Sequence, residues 1–279
     1  MDSEARSREA RARAERALIE LALAFGDHAD ELIVIGGLNP DFLTPDAPVQ
    51  HLGTTDVDIL LELGFVWDRD DLDFSWLEPA LRAGGFEPRS VDAWQWLRVD
   101  DDSLVRVDLL CDVMDSPDQS IALPGAEGVT AKNLAGPSGA LVEPVTRGLD
   151  VDDVVRRRWP DAPSFVTLRF ASLGGYLLAK ASALTSRHLE KDSYDLMYVI
   201  QFNPGGPDGA AEAIRSALEV ETVHHRHGLH VRSALQSFVT GNSSERFARQ
   251  MVLSGDTATT EQLVLDARRG AERVLARLG

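Results

Sequence analysis

Asp56 and Asp58 stand at alternate positions in the run Asp56-Val57-Asp58-Ile59-Leu60-Leu61. On a β-strand, residues i and i+2 share a face, so the two carboxylates project together while Val57 and Ile59 turn to the other side. Neighbouring carboxylates repel each other and gain nothing from a core, so the pair calls for a cation. Hard oxygen ligands in this arrangement suit Mg²⁺. Upstream, the apolar run Leu32 to Ile35 ends on Gly36-Gly37. A double glycine lets backbone approach a phosphate closely and leads into a short helix N-terminus. Arg106-Val107-Asp108-Leu109-Leu110 offers a third acid on a strand, with Asp102 and Asp112 as alternatives to Asp108.

A second group lies in the stretch from Lys180 to Leu196. Lys180 and Arg187 are seven residues apart, about two helical turns, and so share a face. Lys191, Asp192 and Asp195 follow at the start of the next helix. A compact ammonium suits a phosphate and a nearby acid can orient it. The same acids are also the residues a helix N-terminus favours without any ligand. The chain has only three lysines, Lys132, Lys180 and Lys191, against 25 arginines, so two within twelve residues mark this segment.

The elements that must position these residues can be traced from periodicity. Residues 3–25 carry Ala14, Ala17, Leu18, Leu21, Ala22 and Phe25 at helical spacing, an amphipathic first helix. Strands are expected at Leu32 to Ile35 and through Asp56 to Leu61. After an acidic link from Gly64 to Asp73, Ser75 and Glu78 read as a capping box opening a helix that ends at Gly84-Gly85. Trp94 to Val99 and Leu104 to Cys111 form a hairpin turned at Asp100–Ser103, and Ser164 to Ala171 reads as one more strand. From Leu173 onward the pattern is helical, broken at Asn203-Pro204-Gly205-Gly206-Pro207, and Thr259 with Gln262 opens the last helix. This order predicts an α/β (α+β) chain: a mixed sheet flanked by helices, then a mostly helical C-terminal domain. The Gly-, Pro- and Ser-rich stretch Asp115 to Gly139 holds the expected boundary, giving domains 1–130 and 131–279.

At 279 residues the chain can bury a large core. No apolar run approaches the ~20 residues of a membrane span, which excludes a helical membrane protein as an expectation. A single cysteine, Cys111, excludes an internal disulfide and points to the cytoplasm. The formal charge is −17, and residues 1–150 hold 30 acids against 12 bases. Residues 151–279 hold 15 acids against 16 bases, so a grip on nucleic-acid phosphates would have to come from there, for instance from Arg156, Arg157 and Arg158.

Gly36-Gly37, Gly53-Thr54-Thr55-Asp56-Val57-Asp58 and the later Asp108 together resemble the nucleotidyltransferase superfamily, and the wording of the Asp-x-Asp segment is similar to AbiEii-type nucleotidyltransferases. Lys180, Arg187 and Lys191-Asp192-Ser193-Tyr194-Asp195-Leu196 are similar to a second signature of that family, so the resemblance spans roughly residues 33–200. It implies a nucleotidyltransferase-type sheet in 1–130 and a helical domain completing the nucleotide cleft. It implies transfer of an NMP from an NTP to an acceptor hydroxyl, with Asp56, Asp58 and Asp108 on Mg²⁺. Gly36, Gly37, Thr54, Thr55, Lys180, Arg187, Asp192 and Asp195 would then bind the nucleotide, with Lys180 catalytic on its phosphates. Many such proteins are toxins of toxin–antitoxin or phage-defence pairs, so an RNA end such as tRNA, a protein side chain and a cognate antitoxin are the implied partners. Where members of the family often carry Arg, this chain has Leu52, and the loop 38–55 is long and Pro-rich. The alternatives are a small-molecule nucleotidyltransferase of the antibiotic-modifying kind and a catalytically silent binding protein of the same fold.

The remaining polar candidates have plainer readings. His224, His225, His227 and His230 read as a solvated loop, and His51 as a loop histidine with no specific task beyond a contact to substrate. Trp94 and Trp96 share a strand face and read as core. Cys111 reads as a small buried residue.

Overall fold

A computed structural model describes residues 6–63, 71–100, 103–113, 116, 118–187, 189–220 and 225–279. Residues 64–70 of the acidic link, Asp101 and Asp102 at the hairpin tip, Asp115 at the start of the boundary stretch, and His224 lie outside the described residues. In chain order the elements are α1 (Arg8–Phe25), β1 (Leu32–Ile35), a 3-10 turn at Gly36–Leu38, α2 (Pro40–Leu43) and β2 (Asp56–Leu61). Next come α3 (Leu77–Ala83), β3 (Glu87–Pro88), β4 (Gln95–Asp100), β5 (Ser103–Cys111), β6 (Ser120–Ala122) and β7 (Thr130–Asn133). A 3-10 turn at Pro137–Leu141 leads to β8 (Val145–Asp150), α4 (Asp153–Arg158) and β9 (Phe165–Phe170). The chain then runs through α5 (Leu173–Arg187), α6 (Glu190–Phe202), α7 (Gly206–Leu218), α8 (His225–Thr240), α9 (Ser243–Leu253) and α10 (Thr260–Leu278). The fold is mixed α/β, with parallel and antiparallel strands in one sheet.

The chain divides into two compact units, and the division is not a single cut. The first comprises Met1–Leu38, Gly53–Ala135 and Pro144–Phe170; the second comprises Asn39–Leu52, Gly136–Glu143 and Ala171–Gly279. A cut at 130/131 would separate β8 and β9 from their sheet, because β9 hydrogen-bonds to β1 in parallel and β8 to β9 antiparallel.

The first unit is built on the order β3-β4-β5-β2-β1-β9-β8, with β7 beside the end of β5 and β6 beside β7. Val57, Val107 and Trp96 lie on one face and are at most 1% exposed. Arg98, on that same face, bonds Glu20 of α1, and Arg82 of α3 lies over the Trp96 ring, so α1 and α3 cover it. Ser7 caps α1 by accepting from the Ala10 N–H, and Gly26 ends it with positive φ. The expected capping box at Ser75 does not form. The helix α3 starts two residues later at Leu77, and the Asp73 carboxylate instead accepts the Ser75 N–H in a turn before it.

The second unit packs α5 through α10 with the 3-10 turn at Pro137–Leu141 and the loop 39–52. Tyr194 and Tyr198 of α6 hold that loop: the Leu52 N–H donates to the Tyr194 hydroxyl at 3.0 Å, and the Tyr198 hydroxyl donates to the Val49 carbonyl at 2.6 Å. Thr259 caps α10 through the Gln262 N–H. Among the described residues no helix is long and apolar enough to cross a membrane.

Candidate functional site

The parallel pairing of β2 with β5 sets Asp56 against Arg106 and Asp58 against Asp108. Partners in register point the same way, so the period-2 rule now operates across two strands. Pairing continues the row outward: Ile35 of β1 lies opposite Asp58, and Gln95 of β4 opposite Asp108. Asp56, Asp58, Arg106, Asp108 and Gln95 therefore share the sheet face opposite α1 and α3. The structure sets the three acids on one sheet face, from strands about fifty residues apart in sequence.

Arg106 is the residue the sequence reading passed over. Its Nη2 donates to Asp56 Oδ2 at 2.6 Å, and its Nε lies 2.8 Å from Asp108 Oδ1. The second contact is an ion pair at close range without hydrogen-bond alignment, and that Nε–H has no aligned acceptor. Gln95 Nε2 donates to the same Asp108 oxygen at 3.1 Å, and the Thr55 hydroxyl donates to Asp56 Oδ1 at 3.1 Å. Burial pushes the Asp108 carboxyl up to about 7, the charges of Asp58 and Asp56 push the same way, and Arg106 and Gln95 pull back. Among the described residues, no three of His, Cys, Asp and Glu converge closely enough to form a ready metal cage. The donor set, three carboxylates from adjacent strands, has the chemistry Mg²⁺ takes, but a guanidinium lies between two of its members.

The double glycine has an internal reason. Gly36 has φ +77°, and a Cβ there would stand 1.8 Å from Asp58 Oδ2. At Gly37 an added Cβ would meet the Thr54 Cβ at 2.5 Å. The space left by the missing side chains is thus filled by Asp58 and Thr54 of the chain itself. Thr54 also accepts the Asp56 N–H at 3.2 Å, which fixes the entry into β2.

Lys180, Arg187, Asp192 and Asp195 gather in the second unit as two ion pairs between α5 and α6. Arg187 holds the fully buried Asp192 in a fork of two bonds at 2.7 Å. Lys180 Nζ donates to Asp195 Oδ2 at 2.7 Å, with Lys180 only 7% exposed. The other oxygen of Asp195 is 3.0 Å from His51 Nε2, and the His51 ring stacks on Tyr194 and meets Tyr198 edge-on. His51 is 1% exposed, so the reading of an idle loop histidine is corrected: the loop carrying it is folded into the helical unit. The histidines of α8 are corrected too. His227 is buried against the Ser138 hydroxyl, and His230 Nδ1 is 2.8 Å from the Ser182 hydroxyl. Cys111 and Trp96 are core, as their types suggest, whereas Trp94 is half-buried and stands just before β4.

No family model matches the chain, and no curated protein matches it either.

Proposed function

We propose that the chain is a Mg²⁺-dependent nucleotidyltransferase that moves an NMP from an NTP onto an acceptor hydroxyl at Asp56, Asp58 and Asp108. The observation that carries this reading is the in-register pair Asp58–Asp108 with Asp56 beside it, and an Asp108 carboxyl raised to about 7. Such a set is unfavourable in the protein by itself and becomes favourable when a multivalent cation joins it. Bound Mg²⁺ would neutralise charge on the triphosphate and lower the pKa of the attacking hydroxyl. The chain's own residues have distinct tasks. Asp56 and Asp58 project from one strand to hold the cation, with Thr55 steadying Asp56. Asp108, whose pKa sits near neutrality, is suited to take the proton of the acceptor hydroxyl, with Gln95 orienting it. Gly36 leaves room for the Asp58 carboxylate.

The resemblance of Gly53 to Asp58 and of Lys180 to Leu196 to AbiEii-type signatures supports an RNA end such as tRNA, or a protein side chain, as acceptor, and a toxin role with a cognate antitoxin. The net charge of −17 favours a second acceptor class, a cationic small molecule. Incubation with each labelled NTP, Mg²⁺ and either total RNA, lysate or a cationic antibiotic distinguishes the classes by what becomes labelled. Label on any of these that disappears in Asp58→Asn supports the reading. Absence of transfer from every NTP overturns it.

A further inference from the structure

We infer that Arg106 is the resident counter-cation of the carboxylate set, and that a divalent cation binds Asp56 and Asp108 only by displacing its guanidinium. This rests on the metal-binding reading above. The first argument is position. Arg106 touches Asp56 at 2.6 Å and Asp108 at 2.8 Å, so it occupies the gap a shared ion would need. An ion bridging the same carboxylate oxygens needs the place the guanidinium holds, and a guanidinium left in contact with it would repel it. Mg²⁺ moreover takes oxygen ligands and excludes N–H donors from its shell.

The second argument is that Arg106 is held in a way that permits release. A guanidinium binds most strongly when two parallel N–H groups meet one carboxylate. Here the fork is split between two acids, and the Nε–H facing Asp108 is not aligned with it. Arg187 on Asp192 shows the alternative within the same chain, with both bonds to one carboxylate at 2.7 Å. Exposure agrees with this: the Arg106 side chain is 31% exposed, against 16% for Asp56 and 10% for Asp108, so rotation towards solvent is open to it. The third argument is charge. One guanidinium meets two of the three acids, and it carries a single charge. A divalent ion supplies the charge that Arg106 lacks.

The test measures Mn²⁺ binding to the full chain without nucleotide, by loss of the free-ion paramagnetic resonance signal. Arg106→Gln should bind Mn²⁺ about tenfold or more tighter than the parent, the scale on which an opposite charge in contact shifts a carboxylate's affinity for a proton. Arg106→Lys, which keeps the charge but cannot span both acids, should fall between. Arg82→Gln removes the same charge from the opposite face and should change affinity much less. Circular dichroism of each variant establishes that it is folded. If the parent binds Mn²⁺ and Arg106→Gln gains nothing, or Arg82→Gln gains as much, displacement is refuted while the metal-binding reading stands. If Asp58→Asn retains the parent's Mn²⁺ affinity, or neither the parent nor Arg106→Gln binds, the metal-binding reading falls and the inference with it.

Discussion

Asp108 gives a stability signature that needs no substrate and no metal. Its carboxyl has a usual value of 3.8 and is held at about 7 in the fold, by burial first and by Asp58 next. A raised folded value means the native state binds the proton more tightly than the unfolded chain does. Stability is therefore lost as pH rises from 3.8 towards about 7, and the loss is complete above that. At about 1.36 kcal/mol per unit, the full difference is on the order of 4 kcal/mol, of which roughly 2.5 falls between about pH 5 and pH 8. Asn at this position resembles the protonated acid and still offers an oxygen to Gln95 Nε2. In chelator, the stability of Asp108→Asn relative to the parent should rise by roughly 2.5 kcal/mol across that interval, about 5 °C in melting temperature for a chain of this size. The assay is thermal unfolding of both proteins at a series of pH values, taking the difference curve so that all other titrations cancel. A flat difference, or one that falls with pH, would refute the claim that Asp108 is an unfavourably buried acid. Excess Mg²⁺ should reverse the sign at high pH, because only the parent's ionised carboxylate can hold the ion.

Three further outcomes test other parts of the structure. Asp58→Asn should abolish label transfer under the proposed function while the melting temperature in chelator stays level or rises, since one repelling carboxylate is removed; a large drop would make Asp58 a structural residue. Gly36→Ala should cost roughly 2–3 kcal/mol, from a Cβ placed 1.8 Å from Asp58 Oδ2 at φ +77°, and adding Asp58→Ala should recover part of the loss; no recovery in the double variant would locate the strain elsewhere. Lys180→Ala should destabilise by about 3 kcal/mol, because Asp195, 2% exposed, loses the ammonium that meets its buried carboxylate at 2.7 Å; an unchanged melting temperature would refute the buried-pair description.

What the sequence disclosed and what it hid divide along the distance over which each feature is determined. Asp56 and Asp58 were legible because a period of two is a property of one strand, and the hairpin from Gln95 to Cys111 was legible because its partners adjoin in sequence. β8 was missed because Val145–Asp150 is a sheet-edge strand, only Leu149 of it buried, and it has no apolar alternation to read. His51 and Asp195 meet across 144 residues, and a Pro-rich loop gives no sign that it will be folded between tyrosines of a helix. Arg106 is the instructive intermediate. Its place two residues before Asp108 already put it on the carboxylate face, so its direction was readable. What was not readable was the register that sets it opposite Asp56, since nothing local fixes the alignment of β2 with β5. A slip of one residue would turn Arg106 and Asp108 to the α1 side and bring Val105, Val107 and Leu109 to the carboxylate side. Val107, at 0% exposed, and Val105 and Leu109 beside it are thus what hold the register that makes Arg106 the neighbour of Asp56.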